Sequence, residues 1–158
     1  MLFGLASCGG SDVYRKEEFG RDSIYQRNYA VSAARACEVA QLVLLRQGYQ
    51  IGMKEPASFA ARKEFQPERE ENATIEFVVI CKEEAFGSMV FANAVETRNE
   101  LKKSSQAASI GIPSAGSISL PWSKSAEALV KVGGKTIDDK GFYSRFFDAL
   151  GTMLQGKK

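Results

Sequence analysis

Apolar residues recur every three or four positions between Ser32 and Tyr49, which predicts an amphipathic helix. Ser32 is a good N-cap, because its hydroxyl can accept a hydrogen bond from a backbone N–H of the first turn. Gly48 followed by Tyr49 is typical of a left-handed C-cap, in which the next residue folds an apolar ring back onto the helix. The pattern therefore marks both ends of the helix. Its apolar face is predicted to carry Ala33, Ala34, Cys37, Ala40, Leu44 and Leu45.

A second helical pattern lies near the C-terminal end of the chain. Asp138 or Asp139 can cap its start. Its apolar positions keep the three-and-four spacing, which places them on one face. An aromatic stripe of this kind is more often part of a core than of a cofactor site, so we expect the helix to pack on a sheet. The stripe consists of Phe142, Tyr143, Phe146, Phe147, Leu150, Met153 and Leu154.

The remaining β-branched and aromatic residues predict strands. Alternation is clearest in the strand that places Ile75, Phe77, Val79 and Cys81 on one face. The strand at 58–66 alternates imperfectly, because Lys63 falls among its apolar positions, and we interpret it as an edge or half-exposed strand. The predicted strands are residues 24–30, 49–53, 58–66, 73–82, 88–98 and 128–132, with turns at 67–72 and 83–87 and a break or bulge at Gly133-Gly134.

These elements predict an α+β fold. We expect an antiparallel sheet of about five or six strands, with both amphipathic helices packed on one face in a helix-grip-like arrangement. A chain of 158 residues with 44% hydrophobic content can bury one proper core. The expected organisation is therefore a signal segment at residues 1–8, a polar tether at 9–22 and a single domain at 23–156.

Composition excludes several kinds of chemistry. The net charge of +2 favours neither nucleic acid nor an acidic partner. Histidine is absent from the sequence, so there is no Ser-His-Asp or Cys-His pair and no imidazole metal ligand. We therefore expect a protein that is not an enzyme and that uses no metal or cofactor.

The N-terminal segment Leu5-Ala6-Ser7-Cys8 resembles a bacterial lipobox, where signal peptidase cleaves before a cysteine that carries lipid. The thiol carries the lipid, and the small residues before it fit the peptidase. Seven residues precede Cys8 and none is basic, whereas a complete signal peptide has about 15 to 30 residues with a basic start. We expect a shortened signal segment; the alternative is an apolar N-terminus with a chance cysteine. The residue directly after Cys8 is Gly9 rather than an aspartate, which is compatible with sorting to the outer membrane.

The three cysteines can be assigned together. Cys81 lies on the apolar face of its predicted strand, and Cys37 lies on the apolar face of the helix expected to cover that sheet. If Cys8 carries lipid, the chain is exported to an oxidising compartment and the other two cysteines form an even pair. We therefore predict a disulfide between Cys37 and Cys81. The alternatives are two buried free thiols, or a catalytic cysteine, which would need a cationic neighbour that neither apolar environment provides.

The segment between Lys103 and Lys124 carries no charge. Apolar residues alternate with small ones on both sides of a turn at 113–116, which predicts a hairpin with one apolar face. If exposed, this face could bind a partner, with the single tryptophan as its anchor; if folded back, it extends the core. The apolar residues of the predicted hairpin are Ile110, Ile112, Ile118, Leu120 and Trp122.

Several segments together resemble an uncharacterised family of short proteobacterial lipoproteins, known only as a domain of unknown function. The segments are CEVAQLVLLRQGY (37–49), IEFVVIC (75–81), LKKSSQAAS (101–109), SISLPW (117–122), LVKV (129–132) and FYSRFF (142–147). The resemblance covers the chain from about Tyr25 onward. It implies an envelope location, lipid on Cys8 and a cysteine pair at 37 and 81, and it implies no activity. The order of elements is also similar to the small domains of the C lipoprotein of the outer-membrane β-barrel assembly machine, but topology does not fix function.

Two functions remain open. The first is a noncatalytic envelope lipoprotein, anchored through Cys8 and facing the periplasm, that presents the hairpin to a protein partner. The second is a periplasmic carrier that binds a small apolar ligand or lipid between helix and sheet, with Phe77, Phe146 and Phe147 lining the pocket.

Overall fold

The computed structural model describes residues 13–103 and 127–156, and this part of the chain contains six strands and two long helices. A short 3-10 helix at Val13–Lys16 comes first, and residues 13–22 are exposed. The elements that follow are β1 (Gln26–Tyr29), α1 (Ala33–Arg46), β2 (Gln50–Glu55), β3 (Ser58–Glu68), β4 (Glu71–Glu84), β5 (Gly87–Lys103), β6 (Glu127–Thr136) and α2 (Lys140–Leu154).

All six strands pair antiparallel in one sheet, in the order β1-β5-β4-β3-β2. The sixth strand, β6, shares the outer edge of β5 with β1. Residues 88–91 of β5 pair with β1, and residues 95–103 pair with β6. The register of β6 shifts beside Gly133, which confirms the predicted bulge. The predicted α+β class with an antiparallel sheet is confirmed.

Both helices pack on the same face of the sheet and bury a single core. The inward positions of β4 follow the predicted alternation, with Phe77, Val79 and Cys81 buried and Ile75 half-buried. The other buried apolar residues of the strands are Phe59, Ala61, Ala73, Val90, Ala92 and Ala94. Those of the helices are Ala33, Ala36, Cys37, Val39, Ala40, Val43, Leu44, Tyr143, Phe146, Phe147 and Leu150.

The ends of α1 are as the sequence predicts. The Ser32 side chain accepts a hydrogen bond from the backbone N–H of Arg35. Gly48 has a φ of 83°, and its N–H donates to the Leu45 carbonyl at 3.0 Å while the Tyr49 N–H donates to the Leu44 carbonyl at 3.0 Å. This pair of hydrogen bonds is a Schellman motif, and it brings the Tyr49 ring into the core.

The buried face of α1 is rotated from the predicted one. Ala34 and Leu45 were predicted to face the core, and both are exposed. Ala36, Val39 and Val43 take their places. The predicted face was therefore wrong at these two positions. Spacing alone leaves a choice of neighbouring helix faces, and contact with the sheet selects one of them.

Helix α2 is held to the sheet by a buried tyrosine. The carboxylate of Asp139 caps the helix by accepting from the Phe142 N–H. The hydroxyl of Tyr143 donates to the Ile137 carbonyl at 2.8 Å and accepts from the Ala94 N–H at 3.0 Å. Burial raises the pKa of Tyr143, so the hydroxyl stays neutral and keeps both hydrogen bonds. This side chain fixes the position of α2 against β5.

Strand β3 is an edge strand over only part of its length. It pairs with β4 along most of its residues, and with β2 from Ser58 to Arg62. Among the described residues, no strand pairs with its second half on the β2 side. The prediction of an edge or half-exposed strand is therefore confirmed: the first half is paired on both sides but partly exposed at alternate positions, and the second half is an edge. Lys63 lies just beyond the pairing of Arg62 with Gln50, the first residue of β2, and it shares the inward face with Ala61. The position of the cleft described below depends on this placement.

The second face of the sheet mixes charged residues with polar and apolar ones. Ion pairs join Arg62 to Glu64 at 2.9 Å and Lys82 to Glu84 at 2.9 Å. Val78 is 51% exposed between them. Exposed pairs of this kind each contribute about 0–1 kcal/mol to stability. One face thus holds the core and the other faces solvent, as is common for antiparallel sheets.

Candidate functional site

The structure joins Cys37 of α1 to Cys81 of β4 by a disulfide, with the two Cα atoms 5.8 Å apart. Both residues are buried in the core. The predicted pairing is therefore present and ties helix to sheet across 44 positions of sequence. With both sulfur atoms bonded to each other, neither is a free nucleophile.

Two other predicted sites lie outside the described residues. One is Cys8, the predicted lipid-bearing cysteine. The other is the predicted hairpin with its five apolar residues, Ile110, Ile112, Ile118, Leu120 and Trp122. Both remain predictions from the sequence.

A cleft of about 280 Å³ opens between the C-terminal half of α1, helix α2 and strands β3 and β4. It lies where the second half of β3 extends beyond β2. Most of its lining is apolar or aromatic, which suits an apolar ligand. The ten lining residues are Val43, Leu44, Gln47, Tyr49, Lys63, Phe77, Phe142, Arg145, Phe146 and Ala149.

Phe77 of β4 forms the centre of the aromatic lining. Its ring stacks on Phe142 with centroids 5.4 Å apart, meets Tyr49 edge-on at 5.3 Å and lies 5.5 Å from Phe146. Burial raises the pKa of Tyr49, so its hydroxyl is neutral at physiological pH. Each aromatic pair adds about 0.5–1.5 kcal/mol beyond area burial, which stabilises this part of the wall.

Lys63 places a positive charge beside these rings. Its Nζ donates a hydrogen bond of 2.6 Å to the Gln47 carbonyl at the end of α1. Nζ also lies 5.6 Å from the ring centroid of Tyr49 and 4.8 Å from that of Phe65. The end of a helix carries partial negative charge, which favours an ammonium group there. One of the three ammonium donors is thus used by Gln47, and the others can meet a ligand.

Arg145 of α2 supplies the second cation of the cleft. Its side chain is exposed, and it forms no ion pair with any described residue. The neighbouring Arg27 differs, because it pairs with Asp148 and lies over the Phe147 ring. None of the ten lining residues is acidic. The cleft therefore combines an apolar wall with two positive charges.

One residue predicted to line this pocket does not do so. Phe77 and Phe146 line the cleft, whereas Phe147 is 1% exposed and packs on the β1 side of α2, beneath Arg27. Successive residues on a helix point about 100° apart, so Phe146 and Phe147 cannot both face one cleft. The prediction for Phe147 was wrong for this reason.

Neither Lys63 nor Arg145 was predicted from the sequence as a site residue. The signal for Lys63 was present, because a lysine in the inward register of a strand needs a polar partner. Its partner is the end of α1, whose place beside β3 cannot be deduced from spacing. Nothing in the sequence marks Arg145 in the same way, because arginine is common at the margin of an apolar helix face.

Four surface hollows of the described residues are larger than the cleft, at about 340, 370, 390 and 770 Å³, and two of them illustrate how their character differs. One of about 370 Å³ lies at the β3–β4 turn among charged residues such as Arg69 and Glu70. Another of about 770 Å³ lies between β1 and the end of α2, beside Arg27 and Asp148, which neutralise each other. Neither combines buried rings with unpaired charge, so the cleft is the better candidate site.

Residues 13–103 and 127–156 contain neither a membrane-spanning helix nor a cluster of metal ligands. In these two ranges, no helix is both long and apolar enough to cross a bilayer. The same ranges contain no group of three or more His, Cys, Asp or Glu side chains placed to hold a metal ion.

Comparison with known proteins identifies the family. Among curated proteins, none matches the chain. Residues 37–154 match the family described as an uncharacterized protein conserved in bacteria, DUF2242. The match begins at the first cysteine of the disulfide and ends with the last residue of α2. The chain therefore belongs to the bacterial DUF2242 family of uncharacterized proteins.

Proposed function

We propose that this protein is a noncatalytic lipoprotein of the bacterial envelope, anchored through Cys8, whose domain acts by binding. The disulfide between Cys37 and Cys81 is the observation that supports export. Disulfides persist in oxidising compartments and are rare in the cytosol, where thiols are kept reduced. A buried disulfide that ties α1 to the central strand β4 suits a protein that folds after export.

The anchor assignment follows from the cysteine count. The sequence has three cysteines, and two of them bond to each other. Cys8 remains, preceded by small residues in the lipobox-like segment. Multiple acyl chains on one cysteine give stable anchoring, whereas a single chain binds a membrane only marginally.

Substituting Cys8 tests the anchor. We expect the wild-type protein, expressed in a bacterium from its native gene, to pellet with membranes and to incorporate labelled palmitate. Cys8→Ser should lose both properties, because a hydroxyl does not accept the diacylglyceryl group. Ser11→Ala is the matched control and should behave as wild type. Membrane association and labelling that persist in Cys8→Ser would contradict the proposal.

The partner-binding role of the hairpin stays a proposal from the sequence. Its five apolar residues, with Trp122 as the anchor, form the surface that we propose to meet an envelope protein.

The cleft supports a second candidate function, that of a periplasmic carrier for a small apolar ligand. Its volume of about 280 Å³ lies near the lower limit of small-molecule pockets. Its wall contains the buried rings of Phe77 and Phe146, against which an apolar chain could pack. The sequence predicts Phe77, Phe146 and Phe147 as the lining of such a pocket, and the first two of these line the cleft.

Blocking the cleft tests the carrier function. We expect the fluorescent apolar probe N-phenylnaphthylamine to bind the wild-type protein. Ala149→Trp should weaken its binding by about tenfold or more, because an indole at this exposed lining position would occupy the cleft. Ala34→Trp is the matched control, an exposed helical alanine outside the cleft, and should bind as wild type. Equal binding by wild type and Ala149→Trp, with circular dichroism unchanged, would show that the cleft is not the site.

A further inference from the structure

We propose that the cleft is a site for a fatty acid, whose carboxylate meets Lys63 and Arg145 while its acyl chain packs on the aromatic wall. This inference rests on the carrier function proposed above and specifies its ligand.

The positive charge of the cleft favours an anionic ligand. Lys63 and Arg145 are the charged residues among the ten that line it, and both are positive. Arg145 forms no ion pair with any described residue. Lys63 uses one donor on the Gln47 carbonyl, which leaves donors for a ligand. A guanidinium binds a carboxylate through two parallel hydrogen bonds, and an ammonium can add a third.

The fixed position of Lys63 favours binding. Its ammonium group is held by the end of α1 and by the Tyr49 and Phe65 rings. Little side-chain freedom is therefore lost when an anion binds, which lowers the entropic cost of association. The same contacts explain how a lysine is tolerated on the inward face of β3.

The apolar part of the lining favours an acyl chain over a peptide. A peptide would bring backbone N–H and C=O groups, each of which needs a partner when buried. Apart from the two cations, Gln47 and Tyr49 are the lining residues with polar side chains. A fatty acid has no polar group beyond its head, so the wall of Phe77, Phe142 and Phe146 can cover it without leaving an unpaired donor. The volume of about 280 Å³ suits a single chain of medium length.

Comparing decanoate with decanol separates the contribution of the head-group charge to affinity from that of the apolar chain. In displacement of N-phenylnaphthylamine from the full-length protein, we expect decanoate to bind at least about tenfold more tightly than decanol, because a hydrogen bond to a charged group is stronger than one to a neutral group. The double variant Lys63→Gln, Arg145→Gln should lose this difference, with decanoate weakened by about tenfold or more and decanol changed by less than about twofold. Lys54→Gln combined with Arg35→Gln is the control, because it removes the same charges from exposed positions outside the cleft and should keep the preference.

The remaining possible results test the fatty-acid assignment and the carrier function separately. Equal affinity of decanoate and decanol for the wild type would overturn the fatty-acid assignment, and so would an unchanged preference in the Lys63, Arg145 double variant. Tighter binding by a short peptide with an apolar C-terminal residue than by decanoate would replace the acyl chain with a peptide. In all three results N-phenylnaphthylamine still binds in the cleft, so the carrier function stands. Failure of the probe itself to bind the wild type would overturn the carrier function and the ligand with it.

Discussion

Replacing Cys37 and Cys81 together by alanine is expected to lower the free energy of unfolding by about 4 kcal/mol. The bond closes a loop of 44 residues, and opening it restores conformational freedom to the unfolded chain. For a protein of this size, each kcal/mol shifts the melting temperature by roughly 2–4 °C, so the midpoint should fall by roughly 8–16 °C. Denaturant titration followed by circular dichroism measures the first quantity, and a thermal scan measures the second.

Single substitutions test whether the bond, rather than the packing of each sulfur, carries this effect. Cys37→Ala and Cys81→Ala should each cost nearly as much as the double variant, because either change removes the whole disulfide. A reducing agent should destabilise the wild type and leave the double variant unchanged. Cys8→Ala is the control and should match the wild type. The predicted contribution of the disulfide would be contradicted if the single variants each lost little stability and their losses summed to that of the double variant. It would also be contradicted if a reducing agent left the stability of the wild type unchanged.

Gly87→Ala is expected to cost about 2–6 kcal/mol, combining backbone strain with a steric clash. Gly87 has a φ of 142°, a conformation that residues with a side chain rarely adopt. A Cβ at this position would lie 2.1 Å from the carbonyl oxygen of Tyr29, which belongs to the paired strand β1. Either β1 must move away from β5, or the turn between β4 and β5 must change. Denaturant titration measures the loss.

Gly133→Ala provides the matched control. Gly133 lies in β6, which pairs with β5, but its φ is not in the left-handed region and a Cβ there meets no atom within 4 Å. We expect this variant to stay within about 1 kcal/mol of the wild type, since it carries the ordinary change of backbone entropy. A Gly87→Ala protein as stable as Gly133→Ala would show that β1 does not press against the turn.

The helix ends and the strand alternation could be predicted because they depend on neighbouring residues. A hydroxyl at Ser32 satisfies an N–H three residues later, and a glycine at position 48 permits the left-handed backbone that ends α1. The alternation through Phe77 and Val79 likewise follows from the geometry of a single strand. The Cys37–Cys81 pairing was also accessible, because both cysteines lie on apolar faces that one core must join.

The candidate site could be predicted only in part. Phe77 and Phe146 were assigned to it correctly, and Phe147 was not, because apolar spacing does not fix how a helix is rotated against its sheet. The cations were missed for a related reason. Lys63 and Arg145 line one cleft only when the start of β2, the end of α1 and the face of α2 are brought together.

By itself, the sequence determined the two amphipathic helices with their caps and the pattern of strands. It also excluded catalytic and metal sites that need histidine, and the number and placement of the cysteines led to the predicted disulfide. Each of these follows from residue type and short-range spacing. Only the tertiary structure decided which face of α1 is buried, that β1 and β6 share one edge of β5, and that an aromatic cleft carries two positive charges. These features depend on contacts between residues far apart in the chain. The energies of such contacts depend on side-chain packing and strand register, and not on the conformational preferences of neighbouring residues.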